Sequence, residues 1–359
     1  MTEPGRAADR YLTLDSLRGV CALAVALFHY PVVSDVSADA FVRNAYLFVD
    51  FFFVLSGFVI AKAYEGRLAE PGATPAFLIK RIGRVWPLHV VMLGVFVTVS
   101  ALKGEVGADP RHSVPAIFSN LALIHSLGIH KELSWNAPSW SISVEAFLYV
   151  AFVILARVPK QVWTYGALVL LSLAVLLWVA PSGMESTYDF GVFRGLAGFF
   201  TGCLVSRLRP RPLGSVGEVA VVLGVLAFLI AGQAQILAPL IFGLGVLVFA
   251  RGNGVVSRLA KLPPFLKIGE WSYSIYMVHT AVAGFFWTIE KPLHLTHQRG
   301  ASWLIASDPL YANLLAVPYL LVVIAASAVT YTFIEAPARS MFGHWAQRAR
   351  RPRSEPRPA

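Results

Sequence analysis

The stretch YLTLDSLRGVCALAVALFHY, residues 11–30, carries an arginine, Arg18, and a histidine, His29, inside an otherwise apolar run. Eleven helical steps of about 100° return to within roughly 20° of the starting face, so the two side chains share one stripe about 16 Å apart. An intramembrane charge costs roughly 2.5 to 3.5 kcal/mol on insertion scales. A cation and an imidazole on a common stripe therefore point to a polar cavity between helices. The plainer alternative is that Arg18 reaches one headgroup layer and His29 the other. An imidazole in such a cavity is suited to take a proton from a hydroxyl or to act as a nucleophile itself. Two carboxylates could orient it: Asp50 in FVDFFFVLSGF and Glu145 in WSISVEAFLY, both expected near the depth of His29.

Other chemistry-bearing residues fall in similar settings. Arg81 and Arg84 stand three apart in KRIGRVWP, where a third span is expected to begin with Pro87 in its first turn. Two arginines at a helix N-terminus make a phosphate site, although simple anchoring on the inner side of a membrane explains an isolated pair as well. Ser56, beside Gly57, is either a polar lining residue or part of a helix-packing step. Ser141 lies one turn before Glu145, and Trp140 suits an interfacial belt. Arg194, Tyr276, His279, Glu335 and Asp15 complete the set of candidate cavity residues. Left unpaired in lipid, Arg18, His29, Glu145, Arg194 and His279 would together cost on the order of 15 kcal/mol, so a shared, partly hydrated interior is expected. Taken alone, His279 reads more simply as a hydrogen-bonded structural histidine.

The elements that position these groups follow from composition. The sequence of 359 residues is 57% hydrophobic and only 14% charged, well short of the quarter charged that is usual for soluble domains. An all-α, polytopic membrane bundle is expected. Apolar windows at about 12–31, 45–64, 85–103, 138–156, 162–180, 190–207, 217–233, 235–250, 270–290 and 311–335 suggest ten transmembrane helices. The apolar piece 116–127 is too short to cross and reads as re-entrant or interfacial. With both termini cytoplasmic, most of the basic residues fall in inner loops, as positive-inside topology requires. The net charge of +10 is thus topological, and nucleic acid is not an expected partner. Cys21 and Cys203 form no disulfide framework or metal-ligand pattern, and no metal or permanently bound cofactor is expected. Residues 1–340 are assigned to one membrane domain. Residues 341–359 are expected to form a basic, disordered cytoplasmic tail that can touch anionic lipid.

In their order, LDSLRGV, FVDFFFVLSGF, KRIGRVWP, WSISVE, FRGLAGF, WSYSIYMVH and FIEAPAR resemble the acyltransferase-3 family of integral-membrane O-acyltransferases. The resemblance covers nearly the whole chain. Phe48 departs from it, since many members have Gly before Val-Asp. The family's Arg/Lys-ten-residues-His element falls on Arg18 and His29, its RxxR on Arg81 and Arg84, and its Val-Asp-Phe-Phe and Ser-Gly-Phe elements on Asp50 and Ser56. The resemblance implies a bacterial cytoplasmic (inner) membrane enzyme that takes an acyl group from cytoplasmic acyl-CoA, expected to be acetyl-CoA. Its acceptor would be a hydroxyl of a sugar, a lipid-linked sugar or another envelope glycan. Some members carry an appended extracytoplasmic esterase-like domain; this chain is expected to act without one or to hand its product to a partner. On this view Arg18, Arg81 and Arg84 hold the donor, and a wet passage links them to His29. Glu145 or Asp50 then sets the imidazole's orientation. A transporter or flippase for lipid-linked glycans would use the same polar interior without requiring CoA.

Overall fold

The computed structural model describes residues 11–158, 161–209, 212–296 and 303–350. Of the basic residues counted toward the topology, Arg6, Arg10, Lys160, Arg211 and Arg299 lie outside the described residues, as do tail residues 351–359. Among the described residues the chain is helical apart from a two-stranded ribbon, Leu295–Thr296 with Ile305–Ala306. The helices that build the site are α1 (Leu12–Phe28), α2 (Phe48–Tyr64), α3 (Ala73–Leu102) and α4 (Val114–Leu121). They are followed by α5 (Trp140–Leu155), α6 (Gln161–Trp178), α7 (Gly191–Arg207), α8 (Gly214–Ala231) and α9 (Ala238–Phe249). The series ends with α10 (Pro263–Thr288), α11 (Ala316–Thr330) and α12 (Ala336–Arg350).

Among the described residues, six helical stretches are long and apolar enough to cross a membrane: Ala45–Tyr64, Ala73–Leu102, Ala137–Leu155, Gln161–Trp178, Gly214–Ala231 and Pro309–Arg350. Their outward faces are apolar. Leu170, Leu171, Leu177 and Trp178 on α6, and Val216, Leu223 and Ile230 on α8, are all exposed. In water that much exposed apolar surface would drive aggregation; in lipid it is the natural solvent-facing side. The chain is a multi-pass helical membrane protein.

Inside the bundle, small residues set the spacing. A Cβ on Gly57 of α2 would run into the Phe199 carbonyl of α7, and one on Gly202 of α7 would run into the Val54 carbonyl of α2. The two backbones are thus in direct contact, as small residues permit in membranes. Gly19 of α1 and Gly269 of α10 do the same: the first faces the Ile268–Gly269 peptide and the second the Asp15 carbonyl. These two helices run parallel, so α10 follows the Arg18–His29 stripe along its length. The short piece 116–127 is not a crossing, since α4 ends at Leu121.

Two expectations need correction. The third span does not begin near Arg84. Its helix starts at Ala73, after Gly72 turns the chain with φ +72°, so Arg81, Arg84 and Pro87 all lie inside it. Hydropathy registers only the apolar part of a helix and misses the polar turns that precede it. The free N–H groups of a helix N-terminus are therefore not available to the arginine pair. The tail also differs: α12 carries helical structure through Arg350, because Phe342 packs onto Gly83 and Ala346 is fully buried. It joins α11 through a π-helical turn, Tyr331–Glu335, of the kind often found at functional sites.

Candidate active site

The ionisable residues are divided between two cavities. The smaller, of about 140 Å³, is lined by Arg18, Arg81, Arg84, Asp15, Glu145 and Ser56, with Ser141, Tyr149 and Tyr276 among its other walls. Arg18 is seated by α10: its Nε donates to Ser272 Oγ at 2.7 Å and its Nη2 to the Gly269 carbonyl at 3.2 Å. Asp15 is 3.5 Å from the same guanidinium. Arg81 lies over the rings of Tyr64 and Phe77, 5.6 and 5.9 Å from their centroids, and its buried Nε has no partner. Three arginines facing two carboxylates leave this cavity cationic, with a donor to spare for an anion.

Glu145 belongs to this cavity and not to His29, which corrects its expected depth. Ser56 Oγ donates to its carboxylate at 2.9 Å and Tyr149 Oη at 2.6 Å. Ser56 follows Asp50 by six residues, so Glu145 sits about 9 Å deeper than Asp50 at 1.5 Å per residue. Tyr149, one helical turn beyond Glu145, was not singled out from the sequence, although its i,i+4 spacing was a usable signal.

His29 stands at the end of α1 and faces the larger cavity, of about 530 Å³. Trp140, Arg194, Tyr276, Tyr46, Arg43, Glu185 and Trp303 also line it. The His29 Nδ1 lies 3.0 Å from the Val25 carbonyl, which can only accept, so Nδ1 carries the hydrogen. His279 Nδ1 likewise lies 3.3 Å from the Ile275 carbonyl, which leaves its Nε2 as an acceptor 3.2 Å from His29 Nδ1. Both tautomers are assigned from these acceptors. His29 Nε2 is then left with a lone pair and no hydrogen. The residue beside His29 is thus a second imidazole, 250 positions away in sequence, rather than a carboxylate.

Asp50 is not available to orient His29 either. Arg194 Nη2 donates to Asp50 Oδ2 at 2.7 Å and its Nε to Oδ1 at 3.3 Å, while Nη1 donates to the Ser186 carbonyl at 3.0 Å. The side chains are 1% and 0% exposed. The guanidinium also lies over Trp140, 5.0 Å from the ring centroid. Every charge in this pair is matched, as burial requires.

Of the other candidates, Ser56, Ser141 and Asp15 line the smaller cavity, Trp140 and Arg194 the larger, and Tyr276 both. His279 and Glu335 line neither of these two. His279 supports His29 from behind, and Glu335 accepts from Ser274 Oγ at 2.8 Å with Arg339 3.5 Å away. The two cavities adjoin between the arginines and His29: Val49 and Tyr276 line both of them. Arg43, Tyr46 and Trp303 reach the larger cavity from loops and short turns. Tyr46 lies at the start of the 45–64 window, whereas Arg43 and Trp303 fall outside every apolar window and had no periodic signal to place them there.

The sequence model of the acyltransferase domain in the acyltransferase-3 family matches residues 11–334, a span that contains both cavities. The chain belongs to the acyltransferase-3 family. It is therefore an acyltransferase, which sets the transporter alternative aside. Among curated proteins, the acyltransferase-3 chain is 31% identical over 193 residues to "Protein 2 in picA locus" of Rhizobium radiobacter, covering 48% of this chain and 96% of that one. It is 25% identical over 372 residues to Acyltransferase MdmB of Streptomyces mycarofaciens, covering 93% of each. It is also 25% identical over 370 residues to a Staphylococcus aureus (strain COL) protein named as an O-acetyltransferase, covering 92% of this chain and 58% of that longer one. No solved structure matches the chain.

Proposed function

We propose that this acyltransferase moves an acetyl group from acetyl-CoA, bound from the cytoplasm, to a hydroxyl of a sugar or envelope glycan on the opposite side of the bacterial inner membrane. Ten crossings with both termini cytoplasmic suit this arrangement. The observation that carries the reading is the lone pair of His29 Nε2 beside a cavity large enough for a sugar, with the cationic cavity behind it. Trp303, about half exposed, offers an aromatic face to a sugar ring, and Glu185 and Arg43 offer polar contacts at the same cavity. Arg18, Arg81 and Arg84 would bind the donor phosphates by charge-assisted hydrogen bonds.

In the general-base route, the acceptor oxygen attacks the thioester carbonyl carbon and its proton passes to His29 Nε2. The C–S bond breaks, an ester C–O bond forms, and the thiolate recovers the proton as free CoA thiol. In the covalent route the same lone pair attacks the thioester carbon, the C–S bond breaks and the thiolate leaves; the acceptor oxygen then displaces the imidazole from the acyl group and its proton passes to the thiolate, giving ester, free His29 and CoA thiol. His279, accepting from Nδ1–H, holds the ring orientation in either case, the place a carboxylate takes in a triad. The experiment follows acetyl-labelled acetyl-CoA in membranes and reads envelope and secreted glycans by mass spectrometry. Wild-type membranes should add an acetyl increment, and His29→Ala membranes with equal protein level should not. Substantial transfer by His29→Ala refutes the assignment.

A further inference from the structure

Two residues stand where the cationic cavity and the His29 cavity meet. Val49 and Tyr276 are each 5% exposed, and both face the cationic cavity on one side and the His29 cavity on the other. The Tyr276 hydroxyl donates to the Pro138 carbonyl at 2.9 Å and lies 2.8 Å from Ser141 Oγ, so the ring is tethered at its far end. Its face meets Phe52 edge-on with centroids 5.9 Å apart, and His279 lies 5.8 Å from it. Val49 precedes Asp50, whose side chain is locked by Arg194. Both residues sit on helices, α2 and α10, so their positions are set by helix packing. The cationic side offers only about 140 Å³, part of which a thioester arm would fill.

We infer that Val49 and Tyr276 form the sieve that sets acyl chain length, admitting a two-carbon acyl group to His29 and rejecting longer ones on contact with the tyrosine ring. This rests on the reading that a CoA thioester enters from the cationic side. For the acceptor oxygen to reach the carbonyl carbon beside His29, the thioester carbonyl has to stand at this seam. The acyl chain must then find its room between these two side chains. Apolar pockets usually separate substrates that differ by one methylene about 10- to 200-fold, and a rigid aromatic wall lies at the strict end of that range.

The test uses membranes that carry the full-length protein together with their native glycan acceptor, supplied with acetyl-, butyryl- or hexanoyl-CoA, and compares kcat/KM for each donor between wild type, Tyr276→Ala and Val49→Ala. The quantity read is the ratio of butyryl to acetyl transfer, which does not depend on how much folded enzyme each preparation holds. The expected result is a wild type selective for acetyl, with the ratio raised about tenfold or more in each variant. If Tyr276→Ala does not fold, Val49→Ala makes the same comparison with a much smaller change. Variants that transfer acetyl with the wild-type ratio overturn the sieve and leave the donor reading standing. A wild type inert toward all three thioesters overturns both.

Discussion

Replacing Asp50 is the perturbation whose outcome separates a structural from a catalytic role most sharply. Asp50→Leu removes two of the three hydrogen bonds that the Arg194 guanidinium makes and leaves that cation 1% exposed with only the Ser186 carbonyl. Breaking one side of a buried pair costs about 3 to 5 kcal/mol, because the remaining charge cannot be rehydrated. Arg194→Met should cost less, since a stranded carboxyl can take up a proton whereas a guanidinium cannot lose one. Replacing both by apolar residues of similar volume is often neutral. The double variant Asp50→Leu/Arg194→Met is therefore expected to recover at least about 2 kcal/mol relative to the sum of the single losses, well beyond the 0.3–0.5 kcal/mol scatter of independent sites. Denaturant unfolding of the detergent-solubilised protein measures all four corners of the cycle. Losses that simply add would refute the pairing and return Asp50 to consideration as a group acting on His29. If the double variant is stable, its acetyl transfer reports whether Asp50 has a chemical role besides.

Three further outcomes follow from the geometry. Glu145→Gln keeps the shape that Ser56 and Tyr149 grip but removes a negative charge facing Arg18, Arg81 and Arg84, so steady-state kinetics should show a changed KM for the donor with little change in kcat. A fall in kcat of about 10²-fold or more at constant KM would instead assign Glu145 to proton transfer. Gly57→Ala and Gly202→Ala each place a methyl group against a backbone carbonyl of the partner helix; a loss of about 1 to 3 kcal/mol in unfolding free energy is expected, and no loss would contradict the close approach of α2 and α7. His125, in the loop after α4, is pushed down to about 3 by burial and by the stacked His89 imidazole, whose centroid is 5.6 Å away. Its unfolded form binds a proton below about pH 6.5 that the folded form refuses, so stability is full above that pH. It falls by roughly 1.4 kcal/mol per unit as the pH drops toward 3. Hydrogen exchange in residues 112–139 should show this loss, and His125→Asn should flatten it; an unchanged pH slope would argue against the burial of that ring.

Much of the architecture was legible because lipid and helix periodicity leave strong marks. The stripe formed by Arg18 and His29 follows from helical rotation alone, and both residues do meet α10, at Ser272 and His279. The sequence could not show which distant residue completes each contact. His29 and Asp50 lie at matching depth by span counting, yet Arg194 has captured Asp50, a choice made by helix packing between α2 and α7. Glu145 was placed too near the outer face because a residue's depth depends on the helix's true start and tilt, which hydropathy does not resolve. The arginine pair falls inside a helix for a related reason: residues 73–84, whose Lys80, Arg81 and Arg84 break the apolar run, are packed by α12 at Gly72 and Gly83, a contact between segments more than 250 residues apart.

The close pairing of α1 with α10 makes these two helices a gauge block for the reaction. The guanidinium of Arg18 and the imidazole of His29 are mounted on one rod, and their seats, Ser272 and His279, on a second rod pressed against it. The distance between the proposed donor grip and the proposed reacting nitrogen is therefore set by a residue count, not by a flexible hinge. One residue inserted between positions 20 and 28 would turn His29 by about 100° away from His279 while Arg18 stayed in place. On the proposed mechanism that internal length can change only in whole-residue steps, each of which also turns the ring, so any adaptation to a different acceptor falls to the other residues that line the His29 cavity.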